Sequence, residues 1–277
     1  MGFLSEPEPE RGVLLSVIED RVWRIVAPNP GPMTYHGTNT HLIMTREGLA
    51  VLDPGPASEA HVEAVRRAAP APIRLILLSH THPDHVGGVG GLKAATGAPV
   101  AAYHTPLIST FSTFRPDVPL DDGAEIAGLR ALHTPGHAAD HLCFADDQGV
   151  LFSADHVMAW STSVVSPPGG DMAAYLASLR RLAQRGEDRL YLPGHGPPLP
   201  EPQAFVGELI AHREAREREI EAALAAGPAG VGELAARLYA KVEPALRRAA
   251  ERNVLAHLLK LEGEGRAIRR GELWQAA

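Results

Sequence analysis

Six consecutive residues, His80-Thr-His82-Pro-Asp84-His85, crowd three imidazoles and a carboxylate just past an apolar run, Ile73-Arg-Leu-Ile-Leu-Leu-Ser79. In an extended loop, alternation sets His80 and His82 on one side. Asp84 and His85, beyond Pro83, turn toward a second point. Imidazole nitrogen and carboxylate oxygen are the donors that borderline divalent ions such as zinc take up, and this spacing suits two ions a few ångströms apart. Three later segments again place a donor just past an apolar run: Thr134-Pro-Gly-His137, Phe152-Ser-Ala-Asp155 and Leu192-Pro-Gly-His195-Gly196. If the strands before them run the same way, the loops converge at one sheet edge.

Those strands are expected at Arg21–Val26, His41–Thr45, Leu49–Leu52, Ile73–Leu78, Val100–Tyr103, Arg130–His133, Leu142–Phe144, Val150–Phe152 and Arg189–Leu192, most bounded by Gly, Pro or Asp. Helices are expected at Ser58–Ala69, with Ser58 as N-cap, at Gly87–Thr96, closed by Gly97, and at Met172–Gln184. Past the prolines between 193 and 202 the pattern changes, and residues 203–262 read as wholly helical. From Val231, apolar residues recur at Leu234, Ala235, Leu238 and Tyr239; a second face runs through Leu246, Ala250, Val254, Leu258 and Leu261. Residues 266–274 then suit a short hairpin, and helices followed by a β-ribbon resemble a winged helix.

The chain has 277 residues, enough for one large domain or one domain plus a small one, and its net charge of −7 does not suggest a dedicated nucleic-acid binder. Its one cysteine, Cys143, excludes an internal disulfide and sits in an apolar stretch, as a buried thiol does. The N-terminus is acidic and proline-bearing, without the basic segment and apolar core of a secretory signal. No apolar run approaches the ~20 residues that span a bilayer. A soluble, cytoplasmic protein without a membrane partner is the expectation.

The order HxHxDH, Pro-Gly-His, Asp after a strand, Pro-Gly-His resembles the metallo-β-lactamase superfamily over residues 20–200. The resemblance implies an α/β fold, a four-layer αββα sandwich, with two zinc ions at one edge; iron or manganese also suit nitrogen and oxygen donors. Carried over, one ion takes His80, His82 and His137, the other takes Asp84, His85 and His195, and Asp155 bridges them. A bridging carboxylate offsets part of the charge of two dications and fixes their separation. A water shared by the ions then becomes a hydroxide nucleophile near neutral pH. Asp84 is also placed to act catalytically, by orienting that water and relaying a proton. Three further residues stand near the motifs. Asn39 touches the site or shapes a turn, His141 supports a ligand or packs, and His156 lines the pocket or holds local structure.

The stretch Asn29-Pro-Gly-Pro-Met-Thr-Tyr-His-Gly-Thr-Asn-Thr-His-Leu42 resembles the signature of the β-lactamase-like protein 2 subfamily, with departures at Met33, Tyr35, His36 and His41. That subfamily carries a C-terminal winged-helix-like domain, which implies a catalytic domain over 1–202 and a winged-helix-like domain over 203–277. Its members include a single-stranded RNA endonuclease and thioesterases. The acidic first 200 residues favour an ester or thioester of a small acyl compound over RNA, because phosphates approach such a site against a negative field. Residues 201–277 are neutral overall, with 12 Lys+Arg and 12 Asp+Glu. Arg247, Arg248, Arg252, Lys260, Arg266, Arg269 and Arg270 give the last helix and hairpin a basic bias. Single-stranded RNA as substrate and a non-catalytic DNA-binding regulator are the alternatives; a homodimer contact is a further use of the tail.

Overall fold

The computed structural model describes residues 2–104 and 114–277. Its first sheet follows chain order: β1 (Leu15–Ile18), β2 (Val22–Val26), β3 (Asn39–Thr45), β4 (Gly48–Leu52), β5 (Ile73–Leu77), β6 (Val100–Tyr103) and β7 (Val118–Leu120). β1 to β4 form an antiparallel meander; β4 to β7 run parallel. Parallel neighbours need crossovers, and helices supply the first two. α1 (Glu59–Ala68) joins β4 to β5, while α2 (Pro83–Val86) and α3 (Val89–Thr96) join β5 to β6. Ser58 caps α1 by accepting a hydrogen bond from the His61 N–H at 3.3 Å.

The second sheet contains β8 (Glu125–Ile126), β9 (Leu129–His133), β10 (Leu142–Ala145), β11 (Val150–Ala154), β12 (Leu190–Pro193) and β13 (Leu199–Pro200), in the order β13-β12-β11-β10-β9-β8. β11 and β12 are parallel, joined through α4 (Met172–Ala183). The two sheets meet face to face over a dry core that includes Leu52, Leu77, Leu142, Phe144, Phe152 and Leu192. Each such large side chain contributes about 1.5–3 kcal/mol by leaving water. Val65, Val89 and Leu92 from α1 and α3 cover the outer face of the first sheet. Tyr175, Leu176 and Leu179 of α4, with Phe205, Val206 and Leu209 of α5 (Pro202–Ala225), cover the second. The result is the expected α/β sandwich of four layers.

The second half of α5 leaves this sandwich and enters another core. Ile220 and Leu224 pack there with Leu234 of α6 (Val231–Leu238), Val254, Leu258 and Leu261 of α7 (Arg247–Gly263), and Trp274. A three-stranded ribbon closes it: β14 (Ala229–Gly230), β15 (Ala267–Arg270) and β16 (Leu273–Ala276), with β16 in the middle. The 266–274 hairpin is therefore present as β15 and β16.

Three expectations need correction. Residues 203–262 are not one helical run, because Gly227–Gly230 turns into β14 and residues 239–246 form a turn and a short 3₁₀ segment before α7. The helix expected from Gly87 begins at Val89, after the separate turn α2. Gly87 and Gly88 lie against the Pro54–Ala57 backbone, where a Cβ would come within 2.4 Å of Ala57 N or Pro54 O. The strand expected from His41 begins two residues earlier, with Asn39 and Thr40 paired to Val26 and Ile25.

Candidate metal centre

β4, β5, β9, β11 and β12 all end at one edge of the sandwich, and the donor residues lie just past them. Three imidazole nitrogens face one another there: His82 Nδ1 is 2.9 Å from His80 Nε2 and 2.9 Å from His137 Nε2. A second group joins Asp84, His85 and His195. Asp84 Oδ2 is 3.5 Å from His85 Nε2 and 3.3 Å from His195 Nε2. Asp155 stands between the groups, with Oδ1 3.4 Å from His85 Nε2 and Oδ2 3.4 and 3.6 Å from His195 and His137 Nε2. Ligand atoms of His80, His82 and His137, of Asp84, His85 and His195, and of His80, His85 and Asp155 are each close enough to share one ion.

The surroundings aim these rings. His137 Nδ1 donates to Val164 O at 2.8 Å and His195 Nδ1 to Gly37 O at 3.2 Å, which aims each Nε2 into the site. His85 Nδ1 donates to Asp53 Oδ2 at 2.9 Å. The same oxygen accepts the Ser79 hydroxyl at 2.6 Å, and Ser79 Oγ accepts from His80 Nδ1 at 2.9 Å. One buried carboxylate thus orients a ring in each group. Asp53 follows β4 and was not singled out in the sequence; its signal was an Asp at the end of an apolar strand, beside the strand that carries His80. Asp140, also missed, accepts from Thr81 N at 3.1 Å and from the Thr81 hydroxyl, fixing the loop between His80 and His82.

Asn39 is buried, and its amide donates to Pro193 O and Gly196 O, both at 2.9 Å, bracing the loop that holds His195. His141 is held at Nδ1 by Thr134 Oγ1 at 2.9 Å, with its ring 5.2 Å from that of His80. His156 is fully buried against the Tyr175 ring, and neither of its nitrogens has a hydrogen-bond partner among the described residues. Gly194 crosses directly behind the site, where a Cβ would fall 2.4 Å from Asp155 Oδ1. His61, His133 and His257 lie outside the cluster, bound to Thr40, Ala139 O and Glu217.

Electrostatics divide the two groups. Burial, then the neighbouring imidazoles, push His80 well down and His82 to about 3, so both rings are neutral donors. Burial also opposes charge on His85 and His195, but Asp155, Asp84 and, for His85, Asp53 outweigh it. His85 is raised well above its ordinary value and His195 to about 9. Burial pushes the Asp84 and Asp155 carboxyls up; the facing histidines overcome it and hold both well below the usual range. This end of the cleft therefore selects positive charge. His85 Nε2 and Asp155 Oδ1 are buried without a hydrogen-bond partner among the described residues. Imidazole lone pairs, carboxylates and orphaned buried atoms together fit divalent cations.

Against known proteins, residues 33–195 match the family model of the metallo-beta-lactamase superfamily, and residues 231–274 match that of the beta-lactamase associated winged helix domain. A beta-lactamase-like protein 2 homolog of Drosophila melanogaster is 33% identical over 88% of this chain and 89% of its own length. A protein of Emericella nidulans named thioesterase pkgB is 34% identical over 81% of this chain and 68% of its own. Among solved structures, a beta-lactamase domain protein from Burkholderia ambifaria superposes with a TM-score of 0.83 at 22% identity, covering 97% of this chain and 95% of that one.

Proposed function

We propose, given that the chain belongs to the metallo-β-lactamase superfamily of metal-dependent hydrolases, that it is a cytoplasmic enzyme holding two zinc ions and cleaving esters or thioesters of small acyl compounds. His80, His82 and His137 would hold one ion; Asp84, His85 and His195 would hold the other, with Asp155 between them. When bound, the ions would supply a nucleophile from water near neutral pH and polarise the substrate carbonyl. Among the described helices, none is long and apolar enough to cross a membrane.

The chain's own residues then divide the remaining work. Asp84 is the catalytic carboxylate: it faces the cavity, about a quarter exposed, and accepts the proton of the attacking water. Asp53, Asn39 and Asp140 keep rings and loops in place. The observation that carries the choice of substrate is the cavity itself. It is about 480 Å³, a size suited to a small molecule, and opens onto the site between Met33, Met158, Trp160, Val164 and Pro167. Such walls suit an acyl chain, and a relative named a thioesterase agrees with that reading. Single-stranded RNA is disfavoured by these apolar walls and by the acidic catalytic domain.

The test is a panel of acyl thioesters, lactones and labelled single-stranded RNA, with metal content measured by elemental analysis. Thioester or lactone turnover that chelator and Asp84→Ala both abolish supports the proposal. RNA cleavage with idle thioesters would overturn it.

A further inference from the structure

We propose that Arg252 reads an anionic group on the substrate, so that the cavity takes an apolar acyl compound carrying a carboxylate or phosphate away from the bond that is cut. This rests on the ester and thioester reading above.

The cavity is built from both domains. The sandwich supplies the floor, with His82, Asp84, His137, Asp155 and His195, and the opposite wall comes from Tyr239 to Asn253. Arg252 is the sole Lys or Arg among the described residues lining it. Its position is fixed at the root. Nε donates to Ser166 Oγ at 2.9 Å, and the adjacent Asn253 accepts from Val165 N at 3.0 Å through Oδ1, so two successive side chains of α7 grip one loop of the sandwich.

Arg24, Arg185 and Arg266 are matched by the carboxylates of Glu6, Asp188 and Glu221, and the buried Arg213 donates to Ser163 O and lies over the Tyr175 ring, away from the cavity. No carboxylate among the described residues pairs with Arg252. Its terminal N–H groups form the flat fork that binds carboxylate or phosphate through two parallel hydrogen bonds. A half-buried guanidinium facing an apolar cavity gains most from a ligand that brings the missing anion. On the wall opposite the candidate metal ligands, a single cation matches a single anion. A polynucleotide offers one phosphate per nucleotide and gains affinity by engaging several cations at once.

The experiment uses zinc-loaded protein and matched substrates. One pair is the hexanoyl and adipoyl thioesters of N-acetylcysteamine, which differ by a terminal carboxylate on the acyl side. The other pair is hexanoyl-pantetheine and hexanoyl-4′-phosphopantetheine, which differ by a phosphate on the leaving side. In at least one pair the anionic member should have a kcat/KM about ten- to a hundredfold higher, carried by KM, as expected for one charge-assisted pair of bonds. Arg252→Met should erase that ratio and Arg252→Lys should restore part of it, since lysine keeps the charge without the fork.

Titration calorimetry gives a second readout. Adipate should bind about tenfold more weakly to Arg252→Met, at unchanged zinc content. Equal ratios in wild type and variant, with adipate binding unaltered, would overturn the inference while leaving the hydrolase reading intact. If no thioester were turned over, that reading would fall, and the adipate titration would still decide whether Arg252 binds anions. The pair that shows the preference locates the anion on the acyl or the leaving side.

Discussion

Asp53→Asn separates a carboxylate that orients metal ligands from one that merely fills space. Asp53 is 1% exposed and receives three hydrogen bonds: His85 Nδ1 at 2.9 Å and the Ser79 hydroxyl at 2.6 Å on Oδ2, and Ser79 N–H at 2.8 Å on Oδ1. An asparagine of the same shape keeps one accepting oxygen. If that oxygen takes the Oδ2 position, the amide NH2 faces the Ser79 N–H, donor against donor. If it takes Oδ1, the NH2 faces His85 Nδ1–H, and that ring must turn or shed its proton. At least one charge-assisted bond is lost either way, worth about 1.5–3 kcal/mol. The loss falls on the bound state, because His85 and His80 depend on this carboxylate for orientation.

That energy corresponds to about a ten- to hundredfold weaker hold on metal, the range found for partners behind a ligating histidine. Competition against a graded series of chelators, with the zinc-to-protein ratio followed by elemental analysis, measures it. On the proposed two-zinc reading, the ion assigned to His85 should leave first, so the variant should pass through a one-zinc stage at chelator strengths that leave wild type with two. Chelation curves that superpose on wild type, at full zinc content, would refute the reasoning.

Gly194→Ala should lose metal and hydrolysis together, since its Cβ would lie 2.4 Å from Asp155 Oδ1 and 2.9 Å from His85 Cε1; zinc content and turnover check it. Glu6→Ala should lower stability to urea by about 3 kcal/mol, because it strips the carboxylate from Arg24, whose side chain is 8% exposed and also holds Gly196 O at 3.0 Å beside His195. Glu217 should make the C-terminal domain acid-sensitive. Burial pushes its carboxyl up, but hydrogen bonds from His257 and Lys260 outweigh this and hold it at about 2, against 4.5 when unperturbed. Its stabilisation is therefore complete above pH 4.5 and fades as pH falls toward about 2; in denaturant melts, Glu217→Gln should flatten the profile across that window.

The candidate donors could be picked out because few residue types carry such chemistry and the fold brings them together at fixed points. His80, His137, Asp155 and His195 each follow a strand, and each strand ends at the same edge. Asp53 follows the same rule, yet Leu52-Asp-Pro-Gly reads equally well as an ordinary strand end. Only the pairing of β4 with β5, which sets Leu52 opposite Leu77, brings it beside Ser79. The interruption of the helical tail had a local signal in Gly227-Pro-Ala-Gly230, overridden by the apolar periodicity on either side. The basic bias of the tail misled for a non-local reason. Lys260 and Arg266 are paired with Glu217, and Arg266 also with Glu221, on α5 more than 40 residues earlier. Arg269 lies over the Trp274 ring.

The placement of α7 decides what the winged helix can do. In a helix-turn-helix module the second helix enters the major groove, and here that helix is α7. One face of it, Val254, Leu258 and Leu261, fills its own domain's core. Ala256 enters the core under the sandwich's second sheet, Asn253 bonds Val165, and Arg252 lines the cavity. Arg247, Arg248, Glu251, Leu259 and Glu262 remain exposed on this helix, a stripe of mixed sign. A duplex would meet two glutamates there, and it could not reach the buried faces without parting the domains. Arg247, Arg248, Arg269 and Arg270 are then the exposed cations of the last helix and hairpin that no carboxylate pairs among the described residues. Four contacts predict a salt dependence of log K against log salt no steeper than about −4, with no preference among duplex sequences. A slope near −6, or sequence-specific binding that survives physiological salt, would mean that α7 leaves the sandwich and that the domain serves nucleic acid rather than the cavity it walls.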